Sequence, residues 1–191
     1  MKIQKTLLLC AILICPAQPA GAAEPNDLTA CAAVTATDAE KFVGVSLEVT
    51  KIDKKIMLNA PWTHDSHCTY TPQGEKADDP TAIARFLDVS LRFFPTAEAA
   101  QAIHQGTMEQ FRKMAGGPDA PFKVIAITPL EAQAARAFYV ELLADPQSDY
   151  ISTMIMFYKG TIGGAVSAWK KPDPSLELTK AVFQHILTQL P

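Results

Sequence analysis

The stretch from Leu87 to Phe93 alternates without a fault. Leu87, Val89, Leu91 and Phe93 are apolar, and Asp88, Ser90 and Arg92 between them are polar. Successive strand side chains point to opposite faces, so this segment reads as a strand with one buried face and one wet face. Its backbone groups need neighbouring strands, and its apolar face needs a covering layer. The segments VSLEVTKI, SHCTYT, FKVIAIT, RAFYVELLA, YISTMIMFYK and TIGGAVSAW read as those strands. Lys159-Gly160 marks a tight hairpin between the last two. Short turns join the late strands, which predicts antiparallel pairing. Gly163-Gly164 inside a strand predicts a bulge, or close backbone packing beneath a helix.

Three helices interrupt the strands. The first is short: Thr35 caps it with Asp38 three residues on (Thr37 with Glu40 is the overlapping alternative), and Gly44 offers a left-handed stop. The second runs from a Thr96 cap, with Glu98 in its first turn, to Gly116-Gly117-Pro118. Ala100, Ile103, Met108, Phe111 and Met114 or Ala115 form its apolar side. The third starts at Asp173-Pro174 and carries Leu178, Val182, Ile186 and Leu190 on one face, with Phe183 and Leu187 beside them. The predicted fold class is α+β: one antiparallel sheet, the two longer helices packed on one face, and a short N-terminal helix.

The N-terminus places this domain outside the cytosol. Lys2 and Lys5 precede an uncharged apolar run from Leu7 to Cys15, which Pro16 breaks; small residues follow up to Ala23. This pattern predicts a signal peptide over residues 1–23, and the run is too short to span a bilayer. Residues 24–191 then form a single α+β domain, exported to the periplasm or secreted, with no transmembrane segment after cleavage. The bulky residues before Cys10 and Cys15 argue against lipid attachment. Removing two lysines from 17 Lys+Arg leaves 15 against 20 Asp+Glu, a net charge of −5. The charges are interspersed, and no basic stripe exists for a nucleic acid to bind.

The signal peptide takes Cys10 and Cys15 with it and leaves Cys31 and Cys68. In an oxidising compartment that pair predicts one intramolecular disulfide. Closing such a loop stabilises by roughly 4 kcal/mol in the chain-entropy treatment. The functional alternatives are a redox-active pair, which is more often Cys-x-x-Cys, and thiolate metal ligands, which need further donors.

The opening segment resembles small exported bacterial proteins and lipoproteins of unknown function. These begin Cys-x-x-aliphatic-Thr-x-x-acid, continue into a short helix ending in Gly, and later carry a Cys-x-aromatic strand. The matching residues are Cys31, Val34, Thr35, Asp38, Gly44, Cys68 and Tyr70, while Ala135-Arg136 stand where those proteins carry Gly-Asp. The resemblance implies a PsbP/Mog1-like sandwich of helices on an antiparallel sheet, and a disulfide. It implies no catalytic residue.

Of the chemistry-bearing clusters, WTHDSHC is the densest. His64, Asp65 and His67 offer three donors, but a closed zinc site needs a fourth and the three must converge. No Gly-x-Ser-x-Gly elbow, phosphate loop or dinucleotide fingerprint occurs. His104 and His185 lie on helices as surface or boundary residues, and Asp78-Asp79 gives no paired-carboxylate signature. Trp62, after Pro61, is either packed or an exposed anchor for a partner; Trp169 is expected to pack against the last helix. Met154, Met156, Phe157 and Tyr158 form a continuous apolar run, read as core, with a cover over a groove between sheet and helix as the alternative. No catalytic, metal or cofactor-binding residue is assigned. The reading is a non-enzymatic envelope module that binds a protein or small apolar ligand through the sheet face free of helices. The alternatives are a small metal-dependent hydrolase using His64, Asp65 and His67, and an inhibitor or immunity-type protein.

Overall fold

The computed structural model describes residues 28–54, 61–73, 86–115, 123–132, 135–143, 151–170 and 176–191. The signal peptide expected over 1–23, Asp78-Asp79, the expected Gly116-Gly117-Pro118 stop and the expected Asp173-Pro174 start lie outside the described residues, as does the side chain of Trp169.

Two short helices come first among the described residues. Helix α1 (Ala30–Ala33) is a single turn capped by the Thr29 side chain and carries Cys31, which the sequence reading had placed ahead of the first helix. Helix α2 (Ala36–Val43) begins with a full capping box: the Asp38 amide donates to Thr35 Oγ1, and the Thr35 amide and hydroxyl both donate to Asp38 Oδ2. That network, the Thr35 hydroxyl foremost, holds the Asp38 carboxyl below its ordinary range. Glu40 takes no part in capping; it accepts from the Leu47 amide instead. Gly44 ends the helix in the left-handed conformation, φ 81°.

Seven strands follow among the described residues: β1 (Leu47–Lys54), β2 (His64–Pro72), β3 (Phe86–Phe93), β4 (Lys123–Ala132), β5 (Ala135–Leu143), β6 (Ile151–Lys159) and β7 (Ile162–Lys170). Helix α3 (Ala97–Ala115) lies between β3 and β4, and α4 (Leu176–Gln189) closes the chain. All seven strands form one antiparallel sheet in the order β1-β2-β3-β7-β6-β5-β4. The β6–β7 hairpin turns at Gly160, whose φ of 56° suits a two-residue connection. Gly163 and Gly164 stay in register, with no bulge. A Cβ on Gly163 would meet the Phe94 ring at 2.8 Å, and one on Gly164 would meet the Phe157 ring and the Ser90 carbonyl at 2.6 Å. Here glycine serves close approach.

The expected placement of the two longer helices on one face is overturned. Helix α4, with α1 and α2, covers one face: Val182, Phe183, Ile186 and Leu187 pack with Leu87, Val89, Leu91, Ile155, Phe157 and Val166. Helix α3 covers the opposite face: Phe111, Met108 and Met114 pack with Phe138, Val140, Met154 and Met156. The cause lies in β5 and β6. Both carry large apolar residues at even and odd positions, so both strands bury both faces and need a helix on each. The result is a sheet-rich sandwich, three layers deep at β5–β7. At β1–β3 the face on the α3 side carries Asp65, His67, Thr69, Asp88, Ser90 and Arg92, and α3 does not extend over the β1–β2 end of it.

Candidate functional site

Strand β2 decides what the WTHDSHC segment can do. Its residues alternate between faces, so Ser66, Cys68 and Tyr70 point to the α1–α4 side while Asp65, His67 and Thr69 point away. His64 falls on the α1–α4 side and stacks against Phe93, ring centroids 5.5 Å apart. The three donors considered for a metal therefore split, one on one face and two on the other. Among the described residues no group of three metal-binding side chains forms.

The α1–α4 side of β2 is a tie point. A disulfide joins Cys31 of α1 to Cys68, Cα atoms 5.1 Å apart. The Ala30 amide donates to Ser66 Oγ at 2.9 Å, and Ser66 Oγ donates to Asp53 of β1. Burial pushes the Asp53 carboxyl up, but hydrogen bonds from Lys51 and Ser66 outweigh it and hold the group below its ordinary range. The Tyr70 hydroxyl donates to the Val34 carbonyl at the α1–α2 junction. Burial first, then the Asp38 and Asp88 carboxylates, push that hydroxyl above the usual phenol range. Cys68, Ser66 and Tyr70 are all fully buried, so this side is architectural.

The opposite side of β2 and β3 holds the candidate site. Register sets Asp65 beside Arg92. Arg92 Nε lies 3.5 Å from Asp65 Oδ1, and His67 Nε2 lies 3.2 Å from each Asp65 oxygen. Neither Arg92 Nε nor Asp65 Oδ1 makes an aligned hydrogen bond, so the Arg92 contact is an ion pair rather than a fixed fork. The guanidinium carbon sits 4.6 Å over the Trp62 ring, and Trp62 meets Phe94 edge-on. Asp65 is 14 % exposed, less than Arg92 and His67, which are about a third exposed. Thr69 continues the polar row by donating to Asp88 at 2.7 Å.

A crevice of about 30 Å³ lies where this face meets α3. Ser90, Arg92, Phe94, His104, Met156 and Gly163 are among its walls. Sites for small organic ligands run to roughly 300–1,000 Å³, so this one holds little more than water. His104 faces the sheet rather than solvent, edge-on to Phe138 and Tyr158, and its Nε2 is buried with no protein partner. Burial pushes its pKa below the ordinary value, with the Met156 backbone pulling the other way.

Ser90 stands directly across from His67 on this face, and Asp65 touches His67, which brings serine, histidine and carboxylate together. A nucleophile needs its base within hydrogen-bond reach. Among the described residues no hydrogen bond joins Ser90 to His67, so the trio is not assembled for acyl transfer. Sequence reasoning named Trp62, Asp65 and His67 but missed Arg92, because its partner across the strand pair is set by register.

The sequence matches no family model and no curated protein. The fold is similar to that of the extracellular domain of PknH from Mycobacterium tuberculosis: the TM-score is 0.60 at 10 % identity, over 83 % of this chain and 92 % of that one. At that identity the likeness is one of fold. Among the described residues no helix is long and apolar enough to cross a membrane.

Proposed function

We propose that the chain is an exported interaction module that binds a protein partner through the Trp62–Arg92–Asp65–His67 face. The observation that carries the reading is Arg92. Its guanidinium stacks on an indole and leans on Asp65, and the group is still about a third exposed at the border where the sheet emerges from beside α3. Trp and Arg are the side chains that dominate protein interfaces, and a pre-stacked Arg loses less freedom on binding. The volume of the crevice speaks against a small apolar ligand as the occupant. Export is supported by the N-terminal pattern, the Cys31–Cys68 disulfide, the resemblance of the opening motif to small exported proteins, and a fold shared with an extracellular domain.

The test is a comparative pull-down from the envelope fraction with wild type, Trp62→Ala and Arg92→Ala, each first shown by circular dichroism to be folded. A partner that wild type retains and both variants lose supports the reading. Equal recovery by all three removes this face from any binding role. Mass spectrometry of the exported form checks the compartment separately: an intact N-terminus or free thiols at Cys31 and Cys68 counts against export.

A further inference from the structure

Strand β1 is an edge strand, and among the described residues it pairs only with β2. It is wet on both faces. Val49, on the α1–α4 side, is 41 % exposed, and Ile52, on the other, is 44 % exposed; these are the large apolar side chains left in solvent among the described residues. An edge of this length presents a row of unpaired backbone donors and acceptors to any extended chain. Charge is the usual guard against such pairing, and β1 carries Lys51 and Asp53 on one face, joined by a 2.8 Å ion pair. The two signs alternate, so the guard repels some strands and complements others.

One strand it complements is its own copy. Two antiparallel copies related by a two-fold axis through the sheet must pair residues that share a face, so the axis passes through a residue. An axis through Lys51 sets two ammonium groups against each other and Val49 against Asp53. An axis through Thr50 sets Leu47 against Asp53 and Val49 against Lys51, which matches neither charge nor apolar surface. An axis through Val49 sets Ile52 against Ser46 and matches no charges. An axis through Ile52 sets Ile52 against itself and Lys51 of each copy against Asp53 of the other. With the ion pair already present within each strand, four charges then alternate around a square, and opposite charges facing across strands are stabilising.

We infer that β1 is a self-complementary edge through which two copies of this chain pair antiparallel, with Ile52 on the two-fold axis. The paired stretch spans residues 50–54 of each copy. That is short beside the roughly 1,200–2,000 Å² of a stable interface, so the dimer forms only at high protein concentration. The inference does not depend on the partner reading for Arg92, which lies on β3.

Sedimentation of the purified protein over a wide concentration range tests it. Wild type shifts reversibly from monomer to dimer as concentration rises, and Ile52→Lys stays monomeric throughout. Lys51→Asp raises the dissociation constant at least tenfold, and Lys51→Asp with Asp53→Lys in the same chain returns it to within about threefold of wild type. Register is read by cysteine crosslinking: Ile52→Cys gives a covalent dimer on mild oxidation, whereas Thr50→Cys, on the same face, does not. A protein that is monomeric at every concentration overturns the inference. So does a dimer indifferent to Ile52→Lys, or one that crosslinks through residue 50 instead of 52.

Discussion

The two sides of β2 share a backbone and differ in almost everything else. On one side Ser66, Cys68 and Tyr70 are sealed beneath α1 and α2, and every polar group there has a protein partner. On the other, Asp65, His67 and Thr69 remain partly in water and are held by an ion pair, an imidazole contact and one hydroxyl bond. The sealed side must account for all its polar groups, because a buried donor or acceptor without a partner costs about 1–3 kcal/mol. The open side bears part of that cost: Asp65 Oδ1, Arg92 Nε and Trp62 Nε1 are buried without an aligned hydrogen bond, while the side chains of Arg92 and His67 stay about a third exposed and within reach of another molecule. Stability and recognition are therefore separated by a single residue step along one strand.

Breaking the sealed side has the largest expected effect. Replacing Cys31 and Cys68 together by Ala removes a bond between residues 37 apart and lowers the unfolding free energy by about 4 kcal/mol on the chain-entropy treatment. Urea denaturation reads this, and a loss below about 1 kcal/mol would move the weight of this side from the crosslink to its packing. Tyr70→Phe follows. It strands the Val34 carbonyl and is expected to cost about 1–2 kcal/mol by the same measurement; a neutral substitution would mean that the hydroxyl bond contributes nothing net.

The third test lies further along the same face as the open side, where α3 lays His104 against the sheet beside the crevice. Its folded pKa is below the ordinary 6.5 because burial penalises the imidazolium. The unfolded chain therefore binds the proton first as pH falls. This contribution is complete above 6.5 and is lost progressively as pH drops through 6.5 toward the folded value. Stability measured from about pH 8 to about pH 5 should fall less steeply for His104→Phe, which keeps a ring against Phe138 and Tyr158. Identical slopes would show that His104 is solvated in both states. The smallest effect is expected on the open side: Arg92→Ala removes a partly exposed ion pair and should cost no more than about 1 kcal/mol. A loss of several kcal/mol would mean that this face belongs to the architecture and would weaken its claim as a binding surface.

Much of this was legible residue by residue. The alternation at Leu87, Val89, Leu91 and Phe93 placed those four on the buried face, and Thr35 with Asp38 marked the start of α2. The apolar stripe of α4 from Val182 to Leu190 is the stripe that packs. The run at Met154, Met156, Phe157 and Tyr158 reads as core from the sequence. A strand apolar at both parities has two faces to cover, and that was the signal that α3 and α4 would part company. His64, Asp65 and His67 looked like a cluster because they are close in sequence. Strand periodicity separates them once β2 is known to begin at His64 rather than at Ser66.

What the sequence determined by itself were the local choices: period-two segments, capped helices and a glycine at the β6–β7 turn. Each depends on a backbone preference or a hydrophobic period within a few neighbouring residues. Tertiary structure alone decided the strand order, the helix assigned to each face, and the register that lays Arg92 between Trp62 and Asp65. Those depend on contacts between residues tens of positions apart, whose energies are set by the competition among whole-sheet arrangements and leave no periodic trace along the chain.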